Sequence, residues 1–393
     1  MSRPPIRVLW ITGAYAPEFS AGGLQCQGVA SALRERVEAR VLTTCTTPGL
    51  TAHDRVAGIP VSRVYVNLHS RVSKIRSTLQ MGLELLRLMP SVDLVHVQGY
   101  SSKNILVAAI AKLQRRPVLL HLQTAQHDEP VAVRSAGALA WWAFTAAHLY
   151  LSVSRGLTRA FTTAGLSTDR IRHAPNGVDT VRFAPATEAV RAEMRRTLGL
   201  PDRPIILFVG VVAPDKQPHV LFEAFERVQR DSSLPATLVI VGATNEQLFE
   251  LGGRLADRIR GDAERAGLAD RVIFVAPTSR VEDYFRAATI FVLPSLREGM
   301  PIALLEGMAS GLPCIASRLP GATDALIEDG QNGRLVEPGD VEGFAEAIRA
   351  LLADPDAAKR LGDAARETIE ANYTMEQVAA RWVAVYQEVV AAT

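Results

Sequence analysis

Cysteine is scarce in this 393-residue chain, and the three present (Cys26, Cys45 and Cys314) have neither metal-site nor disulfide-framework spacing. That scarcity points to a reducing compartment. No Asp-x-Asp sits at a predicted strand end; Asp354-Pro355-Asp356 has the letters but falls in a predicted turn between helices, so no metal cofactor is expected. The first predicted strand is not followed by Gly-x-Gly-x-x-Gly, which argues against a dinucleotide-dependent dehydrogenase. The apolar run IRVLWITGA is too short for a signal peptide and reads as a first strand, so a cytoplasmic location is expected. One uncharged stretch, Ser135 to Ser154, raises the question of a membrane span. It is rich in Ala, carries Thr, His and Ser, and ends in the alternating HLYLSVS, so a buried helix followed by a strand is expected.

What is present fits a globular enzyme. Hydrophobic residues make up 48% and charged residues 21%, and the length predicts two domains. The formal net charge of +2 conceals an asymmetry. Residues 1–180 hold 20 Lys+Arg against 10 Asp+Glu, whereas the remainder holds 23 against 31. A basic first half suits an anionic membrane or an anionic acceptor; plain surface variation is the competing explanation. No nucleic-acid partner is expected.

Strand-like and helix-like segments alternate, which predicts α/β architecture with parallel sheets. RVLWITG, VEARVLTT, VDLVHVQG, RPVLLHLQ and HLYLSVS form a first series. PIILFVG, ATLVIVG, RVIFVAP, TIFVLPS, PCIAS and GRLVEP form a second. Between them, RIRHAPNGVDTVRFAP holds an Asn176-Gly177 turn signal. The segment Val72–Met89 predicts an amphipathic helix whose apolar face is Val72, Ile75, Leu79, Leu83 and Leu86, with Arg71, Lys74 and Arg76 near its start. Packing of that face on the sheet is expected; contact with a membrane is the alternative. The last helix, MEQVAARWVAVYQEVV, carries Val378, Trp382, Val385 and Val389 at helical spacing.

The densest chemistry lies in SLREGMPIALLEGMASGLPCIAS, Ser295 to Ser317. FVLPS reads as the end of a buried strand, Pro301 as the first position of a helix, and Gly311 as that helix's stop. Glu298 is then placed in the loop at the strand's carboxyl end and Glu306 about one and a half turns into the helix. The N–H groups of Gly299 and Met300 and the helix's positive end favour a phosphate in the loop. Carboxylates accept hydrogen bonds from vicinal hydroxyls, so one can hold a hexose and the other a ribose.

With seven residues between Glu298 and Glu306, this run resembles the donor-sugar signature of retaining glycosyltransferases of the GT-B fold, family 4. The resemblance covers nearly the whole chain and is strongest over residues 200–345. It implies two Rossmann-like domains facing a central cleft: residues 1–185 for the acceptor, residues 186–372 for a nucleotide sugar, and a C-terminal helix, residues 373–393, crossing back to the first domain. It also implies transfer of a hexose-type sugar, UDP-linked first and GDP-linked second, to a glycan, lipid-linked or small-molecule acceptor. Configuration would be retained and no metal used, with the departing phosphate taking the acceptor's proton. By the same resemblance Glu298 holds the sugar, Glu306 the ribose, and Gly22-Gly23, in a loop before the first helix, covers the diphosphate. Gly210 and Lys216 match the phosphate-binding pattern in FVGVVAPDKQP, but the usual basic residue is Val211, and Arg280, Arg297 and Arg318 are candidates to replace it. The family's histidine position near the anomeric centre holds Gln123, which leaves His127, beside Asp128 and Glu129, as the candidate catalytic histidine, with His121 behind it. His96 reads as a core or cleft-edge residue. A nucleotide-sugar-binding protein without transfer activity, and an epimerase or phosphorylase on the same architecture, remain alternatives.

Overall fold

The computed structural model describes residues 4–18, 20–33, 36–230, 234–242 and 250–392, and for 250–253 the backbone only. The first helix expected from LQCQGVASALRER runs over residues 34 and 35, which lie outside this set. The chain forms two compact units, one of residues 1–177 with 375–393 and one of residues 178–374. The division falls at Gly177, ahead of the expected 185.

The first unit is an eight-stranded sheet in the order β3-β4-β2-β1-β5-β6-β7-β8. Its strands are β1 (Ile6–Thr12), β2 (Val37–Cys45), β3 (His53–Val56), β4 (Ile59–Tyr65), β5 (Leu94–Gln98), β6 (Val118–Leu122), β7 (Leu149–Ser152) and β8 (Ile171–His173). All pair in parallel except β3, which pairs antiparallel to β4. The β3–β4 hairpin has no sequence counterpart in the expected series. Its turn uses Ala57 (φ 50°) and Gly58 (φ 85°) in place of the usual Asn-Gly signal.

Residues 138–152 fold as expected into α5 (Ala138–Thr145) and β7, although only Ala140, Ala143 and Phe144 of α5 are buried. No helix among the described residues is long and apolar enough to cross a membrane. The C-terminal helix α14 (Met375–Ala391) packs against α1 (Ala21–Leu33) in this unit. Its Val378, Trp382, Val385 and Val389, predicted as one face, are all buried. Trp382 and Tyr386 join Trp10, Cys26 and Val29 in one core. Inside it, the Trp10 Nε1–H donates to the Tyr386 hydroxyl at 3.0 Å, and that hydroxyl lies 2.7 Å from His96 Nδ1. Such a fully buried polar chain is tolerated because each member finds a partner.

The helix α2 (Arg71–Leu88) reverses the expectation made for it. Its buried residues are Ser77, Met81, Leu85 and Leu88. Val72 is 76% exposed, and Ile75, Leu79, Leu83 and Leu86 are exposed with it. The longest apolar stripe of this helix faces out because a shorter one, offset around the helix, already fills the space against the sheet.

The second unit is a six-stranded parallel sheet, β11-β10-β9-β12-β13-β14. The strands are β9 (Ile205–Val209), β10 (Thr237–Val241), β11 (Val272–Val275), β12 (Ile290–Leu293), β13 (Cys314–Ser317) and β14 (Arg334–Val336). Near-continuous apolar runs such as IILFV are what a strand covered on both faces requires. Each sheet has one point where the strand order reverses, between β1 and β5 in the first unit and between β9 and β12 in the second. Open α/β sheets bind ligands at the carboxyl ends of the strands flanking such a point.

Candidate active site

In the second unit, β9 runs out into Gly210 and a short turn, Pro214–Lys216, while β12 runs out into Pro294–Pro301. The two loops are joined by the Leu296 N–H, which donates to the Asp215 carbonyl at 2.8 Å. Across them the Lys216 Nζ donates to Glu298 Oε1 at 2.6 Å, with side chains 26% and 11% exposed. A cation and a carboxylate far apart in sequence thus meet at the switch point. Arg297 joins them, its Nε lying 3.3 Å from Asp215 Oδ2. The other two arginines considered as replacements for the cation absent at Val211 are held elsewhere. Arg280 pairs with Asp283 at 2.6 Å, and Arg318 pairs with Asp329 and Glu337. Arg297 is therefore the one of the three placed beside Lys216.

Gly299, Met300 and Pro301, the end of the Pro294–Pro301 loop, are buried. Pro301 is the residue before the helix α11 (Ile302–Ala309) and not its first member; its extended ψ of 117° turns the chain into the helix. The Gly299 N–H donates to none of the described residues. Gly311, at φ +66°, ends the α11 segment where the sequence placed the stop.

Glu306 lies in the second turn of α11. A Cβ on its neighbour Gly307 would come within 2.8 Å of the Phe291 ring, so the helix lies close on β12 and draws Glu306 inward. Burial raises the Glu306 carboxyl to about 8, against a smaller opposing pull from Arg182. Arg182 is itself paired with Glu282 at 2.7 Å. No hydrogen bond or ion pair to the Glu306 carboxyl is made by the described residues. The Arg182–Glu282 pair escaped the sequence reading because 100 positions separate its members.

In the first unit, Gly22 and Gly23 belong to the first turn of α1 and not to the loop before it. Ser20 starts the helix, its Oγ accepting from the Gly23 N–H at 3.0 Å and its carbonyl from Leu24. A Cβ at Gly23 would stand 2.5 Å from the Ala14 carbonyl oxygen, and one at Gly22 would stand 2.8 Å from the Gln98 Cβ. Both glycines are therefore required for close packing over the end of β1. Gln98 in turn hydrogen-bonds Gln123 at the end of β6.

Asp128 organises the rest. It is 1% exposed; its Oδ2 accepts from the Gln123 and Thr124 amides at 2.7 and 2.9 Å. Its Oδ1 accepts from the Tyr100 amide at 2.9 Å and pairs with His127 Nδ1 at 2.8 Å. A buried carboxylate thus orients a histidine whose side chain is 60% exposed. The sequence named Asp128 only as a neighbour of His127; nothing local signals that one carboxylate ties two strand ends together. His96 and His121 are different: both are fully buried, the His121 Nε2–H donates to the Ala174 carbonyl at 3.0 Å, and burial holds its imidazole down at about 4. They are core residues.

Among the described residues, no group of three or more His, Cys, Asp or Glu side chains is arranged to hold a metal. Asp354, the first letter of the Asp-Pro-Asp run, caps the helix Pro355–Asn372 by accepting from the Ala357 N–H at 2.9 Å.

The likeness to known proteins follows the two units. Residues 25–182 match Glycosyltransferase Family 4, and residues 190–368 match Glycosyl transferases group 1. The GDP-mannose-dependent alpha-(1-6)-phosphatidylinositol monomannoside mannosyltransferase of Mycolicibacterium smegmatis is 34% identical over 224 residues, 54% of this chain and 55% of that one. The D-inositol 3-phosphate glycosyltransferase of Acidothermus cellulolyticus is 39% identical over 199 residues, 49% and 42% of the two chains. The match thus spans about half the length of these curated relatives. Among solved structures, Anabaena HepE in complex with UDP and glucose superposes with a TM-score of 0.78 at 19% identity, covering 98% of this chain and all of that one. The sucrose-phosphate synthase of Thermosynechococcus elongatus gives 0.78 at 22% identity, covering 99% and 100%. Two matched regions, two parallel α/β units and these neighbours place the chain in glycosyltransferase family 4, on the GT-B fold.

Proposed function

We propose that the chain is a retaining hexosyltransferase that uses a nucleoside diphosphate sugar without a metal cofactor. The observation that carries this reading is Glu306, a half-buried carboxyl with no partner among the described residues, on the helix that follows the Lys216–Glu298 loop. Two adjacent ribose hydroxyls are the donors such a group needs. Glu298 is assigned to the sugar, and Lys216, Arg297, the Gly299 amide and the amino end of α11 to the diphosphate. The anomeric C–O bond to the diphosphate breaks, and the acceptor oxygen bonds to the same face of the sugar. The acceptor's proton passes to the departing phosphate oxygen. In the first unit, His127, held by Asp128, is assigned to the acceptor. A His127→Ala enzyme is expected to lose about 10²-fold in turnover with nucleotide affinity intact; full turnover would remove His127 from the mechanism.

UDP is the base we assign first, in line with the UDP-bound neighbour, and GDP second, in line with the GDP-mannose-dependent relative. Thermal-shift titration with UDP, GDP, ADP and their sugars, on wild type and Glu306→Ala, decides between them. One nucleotide family should stabilise the wild type and fail with the variant. Stabilisation without turnover across an acceptor panel would favour a binding protein that does not transfer.

We also assign peripheral contact with an anionic membrane to α2. Five apolar side chains stand exposed along it, with Arg71, Lys74 and Arg76 exposed beside them. Apolar side chains with basic flanks are what an interfacial helix presents. Replacing Leu79 and Leu83 together by serine is expected to cut binding to phosphatidylglycerol-containing vesicles by about 10-fold or more, and to raise solubility. Equal binding by wild type and variant would dismiss the contact.

A further inference from the structure

The amino end of the first unit's sheet carries a pocket, at the opposite end of β6 from Gln123 and His127. It lies where the helix α3 (Lys103–Leu113) and α5 end, beside Val118 at the start of β6 and His148 just before β7. Its volume is about 490 Å³, within the range of about 300–1,000 Å³ usual for small-molecule sites. Lys112, Arg115, Arg116 and His148 line it, and no carboxylate does. The Lys112 and Arg115 side chains make no ion pair or hydrogen bond with any described residue. Arg116 donates from Nη2 to the Pro90 carbonyl at 3.1 Å, and the acid nearest its influence, Asp93, is held by Arg7 at 2.6 Å. The His148 Nδ1 accepts from the Val118 N–H at 3.1 Å, so Nε2 carries the ring hydrogen, and it finds no acceptor among the described residues.

A basic residue in the last turn of a helix complements its negative end, which accounts for Lys112. Arg115 stands just beyond that end at φ +54°, a left-handed backbone that favours glycine. Its N–H closes on the Lys112 carbonyl and that of Arg116 on the Ala111 carbonyl, the helix stop at which glycine is the usual residue. A charged side chain kept at a strained position points to a use for the charge. The rest of the lining is apolar and aromatic. Trp142 of α5 is half-buried there, and its Nε1–H has no acceptor among the described residues. Arg170 takes the Thr145 and Ala147 carbonyls at the end of α5, so the groups that would repel an anion on that side are already engaged.

We propose that this pocket binds a nucleoside di- or triphosphate, with the phosphates on Lys112, Arg115 and Arg116 and the base against Trp142. Three cations without an acid call for a multiply charged anion, and an indole calls for a flat ring. A lone carboxylate would leave most of the charge unmet, and a bare polyphosphate would leave the indole unused. The pocket is separate from Lys216, Glu298 and Glu306, which belong to the second unit, and its ligand needs no transfer reaction.

The experiment is calorimetric titration of ATP and of tripolyphosphate into the full chain as wild type, Arg115→Gly, Lys112→Met, Trp142→Leu and Glu306→Ala. Stacking on an aromatic side chain tolerates any base, so ATP serves as the probe. Wild type should bind both polyanions. Arg115→Gly and Lys112→Met should each weaken both by about 10-fold. Arg115→Gly should melt no lower than wild type, because glycine meets φ +54° without strain, so its lost binding is not lost folding. Trp142→Leu should weaken ATP by about 10-fold and leave tripolyphosphate unchanged, which assigns the ring to the indole. Glu306→Ala should still bind ATP here. A wild type that binds neither polyanion, Arg115→Gly and Lys112→Met proteins that bind both at full strength, or a Trp142→Leu protein that keeps its ATP affinity overturns the proposal. Loss of ATP from Glu306→Ala alone, with the three pocket variants unaffected, places the nucleotide in the second unit and overturns it as well.

Discussion

Lys216→Met is expected to lower turnover by about 10²–10³-fold in a protein that still folds. Lys216 sits in the turn that follows β9 with its Nζ 2.6 Å from Glu298, and it is 26% exposed, so its removal opens no core cavity. In the proposed reaction, negative charge grows on the oxygen that leaves with the diphosphate. A preorganised cation at that point is worth about 3–4 kcal/mol in a site shielded from water, which is the stated loss in rate. Val211 makes the effect larger than it would be with a second cation in the usual place, since it leaves Arg297, 3.3 Å from Asp215, as the companion cation. The variant also leaves Glu298 without its partner, so sugar affinity should fall together with kcat. The check is steady-state kinetics on both variables, with Arg297→Met as the companion. If Lys216→Met kept its turnover and Arg297→Met lost it, the diphosphate would belong to Arg297.

Glu306→Gln is expected to do two opposite things: weaken nucleotide binding by about 30-fold and stabilise the ligand-free protein at alkaline pH. The first follows from replacing charge-assisted hydrogen bonds from ribose with weaker neutral ones, a loss of about 2 kcal/mol. The second follows from linkage. The Glu306 carboxyl is raised to about 8 in the fold by burial, against 4.5 in an ordinary environment. Between these values the unfolded chain has released the proton and the folded protein still holds it. Stability therefore falls as pH rises from about 4.5 to about 8 and is level above. Glutamine removes that dependence, so the variant should match wild type near pH 4.5 and exceed it by about 1–3 kcal/mol at pH 8.5. Ribose hydroxyls favour the ionised carboxylate, so wild type should also release a proton on binding nucleotide at pH 7. Calorimetry in two buffers of different ionisation enthalpy measures that release. A wild type whose nucleotide binding moves no proton, with a flat stability difference across this pH range, would remove Glu306 from the ribose.

The expected gain in stability on replacing Glu306 has a structural source. Gly307 lets α11 settle against Phe291, and that close packing leaves the adjacent Glu306 half-buried. The site keeps a group that the ligand-free fold would be more stable without.

Much of this was legible in the letters. The parallel strands announce themselves as apolar runs such as IILFV and TLVIV because burial on both faces leaves no polar alternation. The stop of α11 at Gly311 and the run of Val378, Trp382, Val385 and Val389 in α14 follow from local backbone rules and helical period. What failed was local where two readings were equally allowed. Gly22 and Gly23 look like loop residues, yet Ser20 caps a helix that includes them, since tight packing on Ala14 and Gln98 outweighs their low helix propensity. On α2 the sequence shows two apolar stripes, and it does not say which one the sheet will cover.

By itself the sequence determined the fold class, the six strands of the second unit and the run containing Glu298 and Glu306, because hydrophobic period, turn chemistry and short motifs act within a few residues of one another. Only the tertiary structure decided that Lys216 meets Glu298, that Asp128 ties Gln123, Tyr100 and His127 together, and that no described residue partners the Glu306 carboxyl. Those are pairings and burials between strands adjacent in space and distant in the chain. The physical reason is that strand order in a sheet is fixed by packing, and a one-dimensional pattern carries no record of which strand ends will share a switch point.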